Sequence, residues 1–159
     1  MIYIINKVLE DLENNLNSQD VQYYIFGLPE IEIGKDITNK GAVFVKPVST
    51  DLEQIATGLI DQTTHTIEVI LVKNMQMRVY RNADQETGEF WLTRVMDGRE
   101  PDGSLKTNTI RYIVRNNLKK YGIRQPDISI VYNDDRIPGG ENVTATMTIT
   151  QEETSSQAI

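Results

Sequence analysis

The sequence predicts an α+β fold: a single domain with a mixed, mainly antiparallel sheet of four to five strands, packed by about three helices. Three observations carry this. Residues 65 to 73, HTIEVILVK, alternate with mainly apolar side chains on both faces, as a central strand covered on two sides does. Residues 143 to 150, VTATMTIT, set Val, Ala, Met and Ile against four threonines, the pattern of a half-buried antiparallel strand. Other stretches place apolar residues at helical spacing instead.

The first of these is at the N-terminus. Ile4, Ile5, Val8, Leu9, Leu12 and Leu16 share one helical face, with Lys7, Glu10, Asp11, Glu13 and Asn14 opposite. The run Asn14-Asn15-Leu16-Asn17 favours an end near Ser18. Val21 to Phe26 reads as a short strand stopped by Gly27 and Pro29. Residues 30 to 41, with Gly34 and Gly41, read as an extended loop. Ala42 to Pro47 is a second strand, and the proline sets its end there or places it at an edge.

Residues 50 to 62 carry two signals. Thr50-Asp51-Leu52-Glu53 has the spacing of a capping box. Thr57, Gly58, Thr63 and Thr64 fit one arm of a long hairpin, and the extended reading is preferred. In residues 84 to 96, Trp91, Leu92, Val95 and Met96 match one helical face; Asn82 or Asp84 would cap its start and Gly98 its end. Asp97 to Gly103, DGREPDG, is a loop.

A helix from Thr107 to Tyr121 follows, with Ile110, Ile113, Val114 and Tyr121 as its stripe and Leu118 beside it. Arg115, Lys119 and Lys120 complement its dipole, and Gly122 ends it. Asp127 to Tyr132 and residues 143 to 150 are the closing strands, joined through Asp134 to Asn142 with Pro138-Gly139-Gly140. Residues 151 to 159, QEETSSQAI, hold no pattern and read as a flexible tail behind a domain spanning 1 to 150.

Composition narrows the function. A domain of 159 residues buries about 68–70% of its unfolded surface and needs no staple. The absence of cysteine excludes thiol nucleophiles, disulfides, iron–sulfur clusters and cysteine-based zinc sites. The N-terminal run MIYIINKVLEDLENN is too short and too charged for a signal peptide. No segment approaches the roughly 20 apolar residues of a membrane span. A soluble cytoplasmic product is expected, and Asn142-Val143-Thr144 is then a sequon by coincidence. The net charge of −7 argues against tight nucleic-acid binding while suiting a wall past which DNA moves without sticking.

No catalytic or metal-binding pattern stands out. His65, the single histidine, follows Asp61 by four residues, which in one extended run separates their Cα atoms by about 13 Å. No serine sits in a nucleophile elbow, so His65 reads as the opening of a structural strand. The acids at 97 to 102 and 134 to 135 lie in loops rather than across a cleft. Asn82, Asp84 and Glu86 alternate like calcium ligands but lack the glycine such a loop requires. Phosphate-binding glycine loops and RNA-binding aromatic platforms are missing. No cofactor is expected.

The second apolar face of residues 65 to 73 must be covered, either by a helix of the same chain or by a partner subunit. Ile70 and Val72, with Thr144, Thr146 and Thr148 of the threonine face, are therefore candidate subunit-interface residues.

The order of elements then resembles one family. A leading helix, AVFVKPVS, the extended IATGLIDQTTHTIEVILV, a helix, the loop MDGREPDGSLK, the helix TNTIRYIVRNNLKKYG and two closing strands are similar to the tail terminator proteins of long-tailed bacteriophages. The likeness spans about residues 4 to 150 and lies in element order rather than in a diagnostic motif. It implies a structural virion protein, not an enzyme, that forms a homo-hexameric ring on the completed tail tube. Such a ring ends tube polymerisation, docks to the head-completion or connector protein, and lets DNA pass without specific binding. Arg99, Glu100, Asp102, Asp134, Asp135 and Arg136 become candidate contact-loop residues. Other head–tail connector or neck proteins share this design, and a small ligand-binding module is the remaining alternative.

Overall fold

In the computed structural model, residues 2–27, 39–55, 60–74, 87–118, 126–132 and 142–156 are described. Helix α1 spans Ile2–Asn15, strand β1 Tyr23–Phe26, β2 Ala42–Ile55 and β3 Ile60–Asn74. Helix α2 spans Gly88–Asp97, α3 Ile110–Leu118, β4 Asp127–Tyr132 and β5 Asn142–Ser156. The strands form one mixed sheet in the order β1-β2-β3-β5-β4, parallel between β1 and β2 and antiparallel elsewhere. The α+β expectation therefore holds, and β3 is the central strand that its two apolar faces required.

Alternation divides each strand between the two faces. One face presents Val43, Val45, Ile67, Val69, Leu71, Ala145, Met147 and Ile149, which pack with the apolar stripes of the three described helices. Ile4, Ile5 and Leu12 of α1, Trp91, Leu92 and Met96 of α2, and Ile110 and Leu118 of α3 are all at most 1% exposed. The other face holds a smaller cluster, Ala42, Phe44, Ile70 and Val72, with Tyr23 and Ile25 against it.

Several ends differ from the expectation, each for a local reason. Pro47 does not end β2. The strand continues through a bulge between Pro47 and Ser49 to Ile55. The edge half of the proline argument survives, because β1 pairs only with Ala42–Val45. From Pro47 on, β2 has no described neighbour on that side, so among the described residues the proline's missing N–H breaks no ladder.

The capping-box reading of Thr50–Glu53 is excluded, since these residues pair with Gln62–His65; residues 56–59 lie outside the described set. The flexible tail is corrected as well. Residues 151–156 continue β5 and pair with Ile60–His65. Gln151 is buried two residues after Ile149, so the hydrophobic signal stops while the backbone ladder does not.

Helix α2 is capped by Thr87, whose Oγ1 accepts from Phe90 N at 3.2 Å. That replaces Asn82 and Asp84, which lie outside the described residues. Gly98 does cap the other end, but with φ −60 rather than a left-handed backbone. Glycine is needed for space: a Cβ would lie 2.6 Å from the Arg94 carbonyl oxygen. Helix α3 begins three residues later than expected, with Thr109 Oγ1 accepting from Tyr112 N at 3.3 Å. Residues 119–125, including Lys119, Lys120 and Gly122, lie outside the described residues.

Candidate assembly surfaces

His65 is 6% exposed, and its Nδ1 lies 3.2 Å from Thr50 Oγ1 on the neighbouring strand. Its register partners are Thr50 and Gln151, not a nucleophile and a carboxylate. Asp61 lies four residues away on the same strand, as an extended run dictates. The residue is a packed strand histidine. Among the described residues, no group of three His, Asp or Glu side chains is placed to hold a metal ion. No described helix is long and apolar enough to cross a membrane.

The candidate interface residues lie on the second sheet face. Ile70 and Val72 are 0% exposed, and Thr144 and Thr146 are 3% and 4% exposed, all within the single chain. Thr148 is half-buried. All of these but Thr148 are buried in the single chain. Lys46 and Glu68 flank the cluster as an ion pair at 3.7 Å.

The loop after α2 does present its residues outward. Arg99 and Leu105 form an isolated antiparallel bridge around Pro101-Asp102-Gly103. Gly103 N donates to Glu100 O at 2.9 Å and Glu100 N to Ser104 O at 2.8 Å. Gly103 has φ +88, which glycine adopts without the Cβ penalty. Asp102 accepts from both the backbone N–H and the hydroxyl of Ser104, at 2.9 and 2.6 Å. These bonds hold the Asp102 carboxyl below its usual pKa of 3.8. Arg99, Glu100 and Asp102 are exposed on this ordered turn. Asp134, Asp135 and Arg136 lie outside the described residues.

Beside that turn runs a shallow groove of about 310 Å³, lined by Phe90, Thr93, Arg94, Asp97, Arg99 and Lys106. Phe90 is 48% exposed. Asp97 Oδ1 accepts from Arg99 Nη2 at 3.2 Å and from Arg111 Nη1 at 3.0 Å. Arg94 binds Asp20 through both guanidinium nitrogens, at 2.9 and 2.6 Å. This bidentate pair fastens α2 to the turn between α1 and β1.

The most distinctive surface lies at the other end of the sheet. The pairing of β1 with β2 ends at Val45 and that of β4 with β5 at Thr150, and among the described residues β2, β3 and β5 continue beyond them. This three-stranded arm runs from the row Ser49–Thr66–Thr150 to the row Ile55–Ile60–Ser156, roughly 20 Å at strand spacing. Leu52 is 73% exposed on it and Val48 is 48% exposed at its root. Asp51 and Glu53 flank Leu52, and the arm sequence holds no lysine or arginine. The sequence reading missed Val48, Leu52, Phe90 and Lys106. The signal available for the arm was the hairpin pattern itself, whose tip was not weighed as a surface.

Burial raises two tyrosines on the helix-facing side of the sheet. The Tyr24 hydroxyl is pushed up to about 12, first by desolvation and then by Glu13 and Asp20. Tyr132 is raised by desolvation and by Asp97, against an opposing Arg111.

No family model matches the sequence, and no curated protein matches it. Among solved structures, a mycobacterial sensor histidine kinase, MprB, aligns over 95% of this chain and 95% of its own at 12% identity and a TM-score of 0.31. A likeness at that score carries no argument about fold or function.

Proposed function

We propose that this chain is a structural virion protein of the tail terminator type. Its subunits assemble into a ring, hexameric in the family it resembles, that caps the tail tube near the head. The ring ends tube polymerisation and forms the joint to the head connector, and DNA crosses its channel without specific binding.

The observation that supports this best is the three-stranded arm. It extends roughly 20 Å past the outer strands, and it exposes Leu52 by 73%. An element of this form suits a contact between subunits: among the described residues its β2 edge is unpaired, and it presents an apolar side chain to a neighbour. The rigid turn at Glu100–Ser104 is a second, smaller contact element.

Light scattering on the purified chain, alone and with tail tubes, tests the reading. A mass near six chains, or a ring that forms only on tubes, is the expected result. A single-chain mass that ignores tubes would overturn it.

A further inference from the structure

We propose that the β2 edge of one subunit's arm, at Asp51–Glu53, docks edge-on into the Phe90–Arg99–Lys106 groove of a second copy, joining subunits head to tail. This rests on the ring reading and adds to it the two surfaces that meet.

The first argument is position. Leu52 pairs with Thr63, and Lys73 at the opposite end of β3 stands with its Nζ 5.2 Å from the Trp91 ring of α2. Ten residues of strand separate Thr63 from Lys73, about 33 Å. The groove on the outer side of α2 therefore lies at the far end of the sheet from the arm, and one chain cannot close this contact on itself. Two different surfaces at opposite ends make a heterologous contact, and repetition of such a contact generates a closed ring when the rotation permits.

The second argument is chemical fit. Midway along the arm, β2 carries Asp51-Leu52-Glu53. The groove sets Phe90 beside Arg94, Arg99 and Lys106, with Asp97 as the one acid among the described lining residues. Among the described residues Lys106 has no carboxylate partner, and neither does Asp51 or Glu53. Leu52 and Phe90, at 73% and 48%, are two of the more exposed large apolar side chains. Leu52 lies on one face of β2 and the two acids on the other. Because the pairing of β1 with β2 ends at Phe26–Val45, β2 has an open edge beyond it among the described residues, and an edge-on approach brings both faces to the groove walls. Leu52 meets Phe90 while the acids face Arg99 and Lys106.

The absence of native cysteine allows a direct test. Leu52→Cys and Thr93→Cys variants, both at exposed positions, are mixed under assembly conditions with tail tubes and a mild oxidant. A disulfide-linked pair is expected in the mixture and in neither variant alone, with Glu10→Cys as an exposed control that gives none. A chain carrying both changes should give a ladder that stops at the ring number. Asp51→Lys with Glu53→Lys should weaken assembly at least tenfold, with recovery on mixing with Arg99→Glu, Lys106→Glu chains. Rings that form without the crosslink and ignore the charge reversals would overturn this contact and leave the ring standing. Crosslinking of Thr93→Cys to the tube protein instead would overturn it too. A single-chain mass for the unmodified protein, with tubes present, would remove the ring reading itself.

Discussion

Gly41 offers the sharpest test of how the two ends of the fold are joined. It sits at the entry to β2 with φ +80, and its carbonyl oxygen accepts from Gln22 N at 3.0 Å and Tyr23 N at 3.4 Å. A Cβ placed there would lie 2.2 Å from the Asp20 carbonyl oxygen and 3.4 Å from Trp91 Cζ2. Carbon–oxygen contacts ordinarily settle about 1 Å or more further out, so the Asp20 backbone would have to move. Asp20 cannot do so freely, because its carboxylate holds Arg94 in a bidentate pair.

The substitution Gly41→Ala therefore combines two costs. The left-handed backbone costs about 1–2 kcal/mol for any side chain with a Cβ. Displacing the Asp20 carbonyl and straining its arginine pair adds about 2 kcal/mol more, in the range of overpacking. Gly103→Ala is the control, since its φ is +88 and nothing lies within 4 Å of the added carbon. It should show only the first cost.

Trp91 is the single tryptophan, is 1% exposed and lies against the Gly41 site, so its fluorescence reports the relevant unfolding. With a urea slope of about 2 kcal/mol/M, Gly41→Ala should lower the midpoint by about 2 M and Gly103→Ala by under 1 M. Equal losses for the two variants would refute the close-approach argument.

Three further outcomes are expected. Tyr24→Phe should stabilise the fold by about 1 kcal/mol, because the buried Tyr24 hydroxyl has no hydrogen-bond partner among the described residues. The Tyr24 proton is held to about pH 12 in the fold, against 10.0 ordinarily. Its contribution is thus complete below pH 10 and is lost as pH rises toward about 12; the phenylalanine variant should flatten that decline in denaturant midpoints, and an unchanged slope would count against the burial.

Asp102 has the opposite sign. Its lowered pKa stabilises the turn above 3.8 and the effect is lost as pH falls through the folded value, so the Ser104 amide resonance should titrate below 3.8. A midpoint at or above 3.8 would refute the bond. Ile70→Ala should cost about 2–5 kcal/mol in the isolated chain, since Ile70 is 0% exposed there; a loss of assembly with unchanged chain stability would place Ile70 at an interface.

How much of this was legible in the sequence depends on what each segment packs against. The inward residues of β3 and β5, Ile67, Val69 and Leu71 with Ala145, Met147 and Ile149, are all at most 1% exposed. A strand that must bury one face writes that requirement into alternate positions, and both segments were recognisable from it. The helix stripes on Trp91, Leu92, Val95 and Met96, and on Ile110, Ile113 and Val114, follow from the same requirement. Ile70 and Val72 show the limit of this signal: apolar residues reveal that a face is covered, not whether the same chain or another one covers it.

The arm lay beyond that signal for a physical reason. Past the helix layer no core demands an apolar row, so the arm residues are free to be threonine, glutamine and acid. There Gln151 ended the visible pattern of β5 one residue before a further five paired positions. Thr50 and Glu53 happened to match a helix cap, although the backbone ladder on both sides of β3 fixes them as strand. What holds such residues extended is pairing between strands distant in sequence, and pairing is blind to side-chain hydrophobicity. A surface built this way carries its meaning in its exceptions. Leu52, an apolar side chain 73% exposed and flanked by two acids, is the exception that a neighbouring subunit would explain.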